Sequence, residues 1–110
     1  MKIVILLKSG ACTDKAYRAL QTAEDMLAQG HCVGLFLLQE AVRFCQPRAE
    51  CSTTAKLQDL IAKNLKVNVL TVDAELRGIK VSAAGLAVAD GSYESLVDQV
   101  TCCDQVVGIL

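Results

Sequence analysis

The sequence predicts a three-layer α/β sandwich on a mainly parallel sheet, folded as one domain over residues 1–110. Two observations carry that expectation. Short continuous apolar runs recur along the chain, as strands covered on both faces require. Amphipathic helical patterns alternate with those runs, and alternation of this kind gives parallel strands joined by crossover helices.

The first run, Ile3 to Leu7, is rich in β-branched residues and stops at Ser9-Gly10. From Asp14 to Gln29, apolar residues at Ala16, Ala19, Leu20, Ala23, Met26 and Leu27 form one buried helical stripe. Thr13 or Asp14 can cap its start, and Gly30 stands where a left-handed residue ends a helix. Val33 to Leu38 reads as the second strand, followed by the long connection QEAVRFCQPRAEC with the chain's one proline, Pro47. Connections of about a dozen residues are uncommon and often functional. Ser52 or Thr53 opens a second helix with Leu57, Leu60 and Ile61 on one face, ending near Asn64. Val67 to Val72 is the third strand. Residues 73–91 carry Gly78 and Gly85 among small residues, and here the pattern supports only a helical turn at Ala74 to Leu76 and a brief strand at Leu86 to Val88. Ser92 caps a last helix bearing Leu96, Val97 and Val100, and Val106 to Leu110 is the closing strand.

Composition narrows the function. Hydrophobic residues make up 53% of the 110 and aromatics only 4%, so the core is aliphatic. A mean hydropathy of +0.38 is high for a small monomer and points to apolar surface covered by other subunits. The net charge of −1, with no block of Lys or Arg, argues against nucleic acid binding. The apolar run after Lys2 is too short for a signal-peptide core or a membrane span, so no membrane association and a cytoplasmic location are expected. In that reducing compartment the six cysteines are expected to be thiols.

Ligands of parallel α/β sheets bind beyond the carboxyl ends of the strands. Cys12, after the first strand, and Cys45 and Cys51, after the second, belong at that edge. Cys32, Cys102 and Cys103 belong at the opposite one. Cys12 and Cys51 each stand before a hydroxyl residue at a helix start, in CTDK and CSTT, where free N–H groups favour a thiolate. An exposed helix terminus contributes about 0.3–1 kcal/mol, and one pKa unit takes about 1.4, so the dipole alone does not activate either thiol. A cation such as Lys8 or Lys15 must supply the rest. The ordinary role of an intracellular Cys is to fill space, and a packed helix end explains Cys102-Cys103 better than a strained vicinal disulfide.

Other chemistries have weaker signals. No C-x-x-C or H-x-x-x-H spacing exists and His31 is single, so neither metal nor cofactor is expected. The segment around Ser9, Gly10 and Thr13 can offer backbone N–H groups to a small anion, although such loops are common. Glu40 and Arg43 in the long loop are possible ligand contacts, but loop charges are usually only solvated.

In order along nearly the whole chain, MKIVILLKSG, GHCVGLFLLQEAV, LKVNVLTVDAELRGI and DQVVGIL resemble the DsrE/DsrF-like family of small sulfur-relay proteins, including its TusD and YchN groups. The resemblance implies a flavodoxin-like subunit that assembles as a trimer or hexamer. It also implies a cysteine at the end of the third strand that accepts persulfide sulfur and hands it on. The equivalent segment here is Leu70-Thr71-Val72-Asp73, which has no cysteine, and neither Thr71 nor Asp73 can form a persulfide.

Three readings follow. In the first, the chain is a sulfur relay or sulfurtransferase-like protein with its thiol moved to Cys12 or Cys51, Cys12 working with Cys51 or Cys45 in support, and with Arg77 steadying an anionic sulfur species; its partners are sulfur donor and acceptor proteins. In the second, it is a noncatalytic structural or regulatory subunit of a homo-oligomer or of a hetero-oligomer with related chains. In the third, the loops at 9–13 and 39–52 bind a small anion or nucleotide. The residues leave open whether the chain is an enzyme.

Overall fold

The structure, a computed structural model, describes residues 1–10, 13–45, 52–79 and 88–109. Five strands form a single all-parallel sheet in the order β4-β3-β2-β1-β5, namely β1 (Lys2–Leu7), β2 (Cys32–Leu37), β3 (Lys66–Leu70), β4 (Ala89–Gly91) and β5 (Gln105–Ile109). The helices are α1 (Asp14–Ala28), α2 (Ser52–Ala62), α3 (Thr71–Leu76) and α4 (Tyr93–Cys102), with a 3-10 helix at Gln39–Cys45. This is the α/β sandwich that the alternation predicts, with a flavodoxin-like layering.

Topology follows from handedness. From β1 to β4 the chain steps in one direction across the sheet, so right-handed crossovers keep those helices on one face. After β4 it reverses and returns through α4 to pair β5 with the far side of β1, which puts α4 on the other face. Alternation along β2 agrees. Val33, Leu35 and Leu37 join the core with Ala16, Ala19, Leu20, Ala23, Leu57 and Leu60 of α1 and α2. Gly34 and Phe36 point the other way, where a Cβ on Gly34 would stand 3.9 Å from Oε1 of Gln99 in α4. The helical stripe expected on α1 is therefore its buried face, and its one fully buried leucine, Leu20, contributes about 1.5–3 kcal/mol. Lys56 fastens α2 to α1, donating to Oε1 of Gln21 at 2.9 Å, pairing with Glu24 at 3.3 Å and lying 5.2 Å from the centre of the Tyr17 ring.

Three sequence expectations change. The third strand stops at Leu70, and Thr71 and Val72 turn directly into α3, so the β-branched pair TV is helical rather than extended. The brief strand expected at Leu86 to Val88 falls mostly outside the described residues, and β4 forms just after it, at Ala89–Gly91. The last helix does not bury its apolar stripe: α4 has no buried residue, and Val97 is 61% exposed. The closing strand β5 is an edge, and its residues are at most half-buried.

At Gly91 two backbones come close. A Cβ there would stand 2.6 Å from Cζ of the fully buried Phe36 and 3.1 Å from the carbonyl oxygen of Val69. Gly91→Ala is expected to lower unfolding stability by about 1–3 kcal/mol, read from urea titration. Adding Phe36→Leu should recover part of that loss, and additive losses in the double variant would contradict the contact.

Candidate functional site

The carboxyl ends of β1, β2 and β3 meet at one rim, and the polar residues there are tied to one another. After β1 the chain runs through Ser9 and Gly10 to Thr13, the N-cap of α1. The Thr13 hydroxyl donates to the Gly10 carbonyl at 2.8 Å and accepts from the Ala16 amide at 3.2 Å, so it closes the loop and caps the helix at once. A Cβ on Gly10 would stand 3.9 Å from the Glu40 carbonyl oxygen, which brings the first loop against the 3-10 helix that follows β2.

At the start of that 3-10 helix Gln39 has a φ of 48°, in the left-handed region. A residue with a Cβ is there at a cost of about 1–2 kcal/mol unless its surroundings hold it. They do. The Gln39 amide donates to Oδ2 of Asp73 at 2.7 Å. Asp73 lies in the first turn of α3 and is 9% exposed, the one buried charged residue among those described. A charged acceptor on a half-buried amide makes a strong bond, and it joins the end of β2 to the end of β3.

A second tie lies beside the first. Nε of Arg77 donates to Oε1 of Glu40 at 3.0 Å, and its Nη1 donates to the Asp73 carbonyl at 3.2 Å. Nε of Arg43 donates to the other Glu40 oxygen, Oε2, at 2.5 Å. The hydrogen bonds from Arg43 first and then Arg77, with their charges behind them, hold the Glu40 carboxyl below its ordinary pKa. Glu40 is exposed, so these bonds position the two arginines more than they stabilise the fold.

The structure thus brings Asp73 and Arg77 together with Gln39, Glu40 and Arg43, and sets Ser9, Gly10 and Thr13 beside them. Thr71 opens α3 in the same rim. Cys12 and Cys51 lie outside the described residues, as does the side chain of Cys45. Cys32, Cys102 and Cys103 are free thiols at the amino edge. There Cys32 pairs in register with Lys2, and the Cys103 thiol donates to the Val100 carbonyl at 3.2 Å. Cys32 and Cys102 are exposed rather than space-filling, because α4 and the strand starts are only lightly covered. Sequence reading named Asp73, Arg77, Glu40 and Arg43 but not the bonds among them, and nothing in the sequence marks Gln39, since glutamine is not a residue that favours positive φ. Among the described residues no group of three or more His, Cys, Asp or Glu can hold a metal ion. No described helix is long and apolar enough to cross a membrane.

No family model matches the sequence, and no curated protein matches it. Solved structures do. The fold is similar to that of the YchN protein from E. coli, with a TM-score of 0.83 and 23% identity over 98% of each chain. It is also similar to BT1422, a conserved protein of unknown function from Bacteroides thetaiotaomicron, with a TM-score of 0.78 and 11% identity over 97% of this chain and 93% of that one. At these identities the likeness is one of fold.

Two predictions test the rim. Asp73→Ala leaves the Gln39 amide without its acceptor and should cost about 1–3 kcal/mol of stability by denaturant titration, whereas no loss would mean that the bond does not hold the turn. For Glu40, folding lowers the carboxyl pKa, so its pairing favours the folded state above the ordinary glutamate value of 4.5 and fades as pH falls through the lowered value. In an NMR titration, Arg43→Gln should raise the Glu40 midpoint more than Arg77→Gln does; midpoints unmoved in both would remove the two arginines as the cause.

Proposed function

We propose that this protein is a cytoplasmic sulfur-relay subunit that handles persulfide sulfur within an oligomer, with Cys12 as the carrier thiol and Cys51 in support. The observation that carries the reading is the reversal of strand order at β1, whose neighbours β2 and β5 are entered from opposite directions. In open α/β sheets the ligand crevice lies beyond the carboxyl ends at such a switch point. The loop leaving β1 is the one that contains Cys12. The YchN-like fold supports the reading, as does the resemblance of MKIVILLKSG and LKVNVLTVDAELRGI to the DsrE/DsrF-like family.

The chemistry is an exchange at sulfur. The Cys12 thiolate attacks the outer sulfur of a donor persulfide, the donor's S–S bond breaks, and the donor leaves as a thiolate that takes up a proton. Cys12 then carries the persulfide, and no external oxidant is needed. A second exchange passes the same sulfur to an acceptor thiol.

A second reading has its own support. Where the family resemblance implies a thiol, at the end of β3, this chain has Asp73 bonded to the Gln39 amide, and Arg77 is already engaged by Glu40. A rim closed in this way suits a noncatalytic subunit of the same kind of oligomer.

The two separate in one experiment. The pure protein is incubated with a cysteine desulfurase and L-cysteine, and the peptides are mapped by mass. A gain of one sulfur atom on Cys12, lost in Cys12→Ser, is expected; labelling confined to Cys32, Cys102 or Cys103, or none at all, would overturn the carrier role and leave the subunit reading.

A further inference from the structure

Helix α4 is inverted relative to a helix that packs on a core. Tyr93, Val97 and Val100 recur at the spacing of a single helical face, and they point to solvent, exposed by 59%, 61% and 36%. The partly polar side formed by Ser95, Leu96 and Gln99 is the one half-covered against the sheet. A reciprocal capping box between Ser92 and Ser95 fixes the start of the helix, so the outward stripe is held in place. Tyr93, Glu94, Val97 and Asp98 line a shallow open depression on this face. Val106 of β5 faces the same way, in register with Val4, and is 40% exposed.

Charge says what can cover it. All eleven Lys and Arg and eight of the twelve Asp and Glu precede residue 81, so that part of the chain carries +3. The remainder, residues 81–110, has Asp90, Glu94, Asp98 and Asp104 and no cation, which makes −4. Those four carboxylates are all exposed. Lys2 and Lys66, on the strands beneath, sit at the strand starts, at the end of the sheet away from Tyr93 and Glu94. A second copy docked face to face would bring the Glu94 and Asp98 carboxylates of one copy up to those of the other, and like charges opposed across an interface are unfavourable. Among the described residues the opposite face offers no basic counterpart, since Lys15 and Arg18 on α1, Lys56 on α2 and Lys63 just after it are matched by Asp14, Glu24, Asp25 and Asp59.

We infer that the α4 face is a docking site for a basic amphipathic helix of a different protein. Its apolar side packs along Tyr93, Val97 and Val100, and its Lys or Arg residues meet Glu94 and Asp98. This is the helix-on-apolar-stripe mode of recognition with a charged rim that selects the partner. Because α4 begins where β4 ends, and Gly91 of β4 pairs with Leu70 just before Thr71, a partner held here sits beside the carboxyl rim. The inference stands without the sulfur chemistry.

The probe is a fluorescent leucine–lysine amphipathic helical peptide, titrated against the full chain, with a lysine–serine peptide lacking an apolar face and a leucine–glutamate peptide as comparisons. The leucine–lysine peptide should bind about tenfold or more tighter than either and should shift the amide resonances of residues 93–100. Glu94→Lys combined with Asp98→Lys, and separately Val97→Ser, should each weaken it about tenfold. These positions are exposed, and an unchanged thermal melt verifies the fold. Raising salt from 0.1 M to 1 M, which shortens the screening length from about 10 Å to about 3 Å, should weaken binding without abolishing it. Equal binding of the three peptides, binding insensitive to these substitutions, or resonance changes elsewhere would overturn the inference. So would sedimentation showing self-association that Val97→Ser abolishes, because a second copy would then own the face.

Discussion

Two strands of a parallel sheet end side by side without any covalent reason to stay in step, and in this protein a single carboxylate supplies that reason. The Asp73 side chain, drawn in from α3, accepts the Gln39 amide at 2.7 Å and so locks the turn after β2 to the helix after β3. Gln39 accepts a left-handed backbone because that bond and the 3-10 helix behind it leave little alternative. From there Glu40 reaches Arg43 and Arg77, and its backbone meets the Gly10 loop. The rim that carries the proposed chemistry is one connected unit because of this junction.

The two faces of the sheet are built by different means. On the α1 and α2 side, Leu20, Leu57 and Leu60 are fully buried with the odd-numbered residues of β2, and burial of this kind dominates stability. On the α4 side, Phe36, Val4 and Leu70 are covered, yet the covering helix turns Tyr93, Val97 and Val100 outward and only half-covers Leu96. A helix with no buried side chain adds little to its own folding. Its stripe is better explained by what it meets than by what it covers.

Much of the fold was legible. The continuous apolar runs marked β1, β2 and β5 to within a residue, and the stripe of Ala16, Ala19, Leu20 and Ala23 marked α1, because these patterns record burial on a fixed period. Thr13, Ser92 and Gly30 were readable as caps from their chemistry, and Gly30 does take positive φ, as does Asn64, near which the second helix was expected to end. What did not show was long-range. Thr71 and Val72 continue an apolar β-branched run, and only their place at the sheet's edge makes them helical. The outward stripe of α4 has the same periodicity as an inward one, so the pattern cannot give its direction. The bond from Asp73 to Gln39 joins residues 34 apart and leaves no local mark.

The account rests on the Gln39 amide being held by Asp73, and amide hydrogen exchange reads that bond directly. In the native protein the Gln39 amide should exchange slowly. In Asp73→Ala it should exchange about tenfold faster or more, while the Leu35 and Phe36 amides of β2 keep their protection. A Gln39 amide that exchanges in the native protein at the rate of an open chain, or at the same rate in both proteins, would contradict the account.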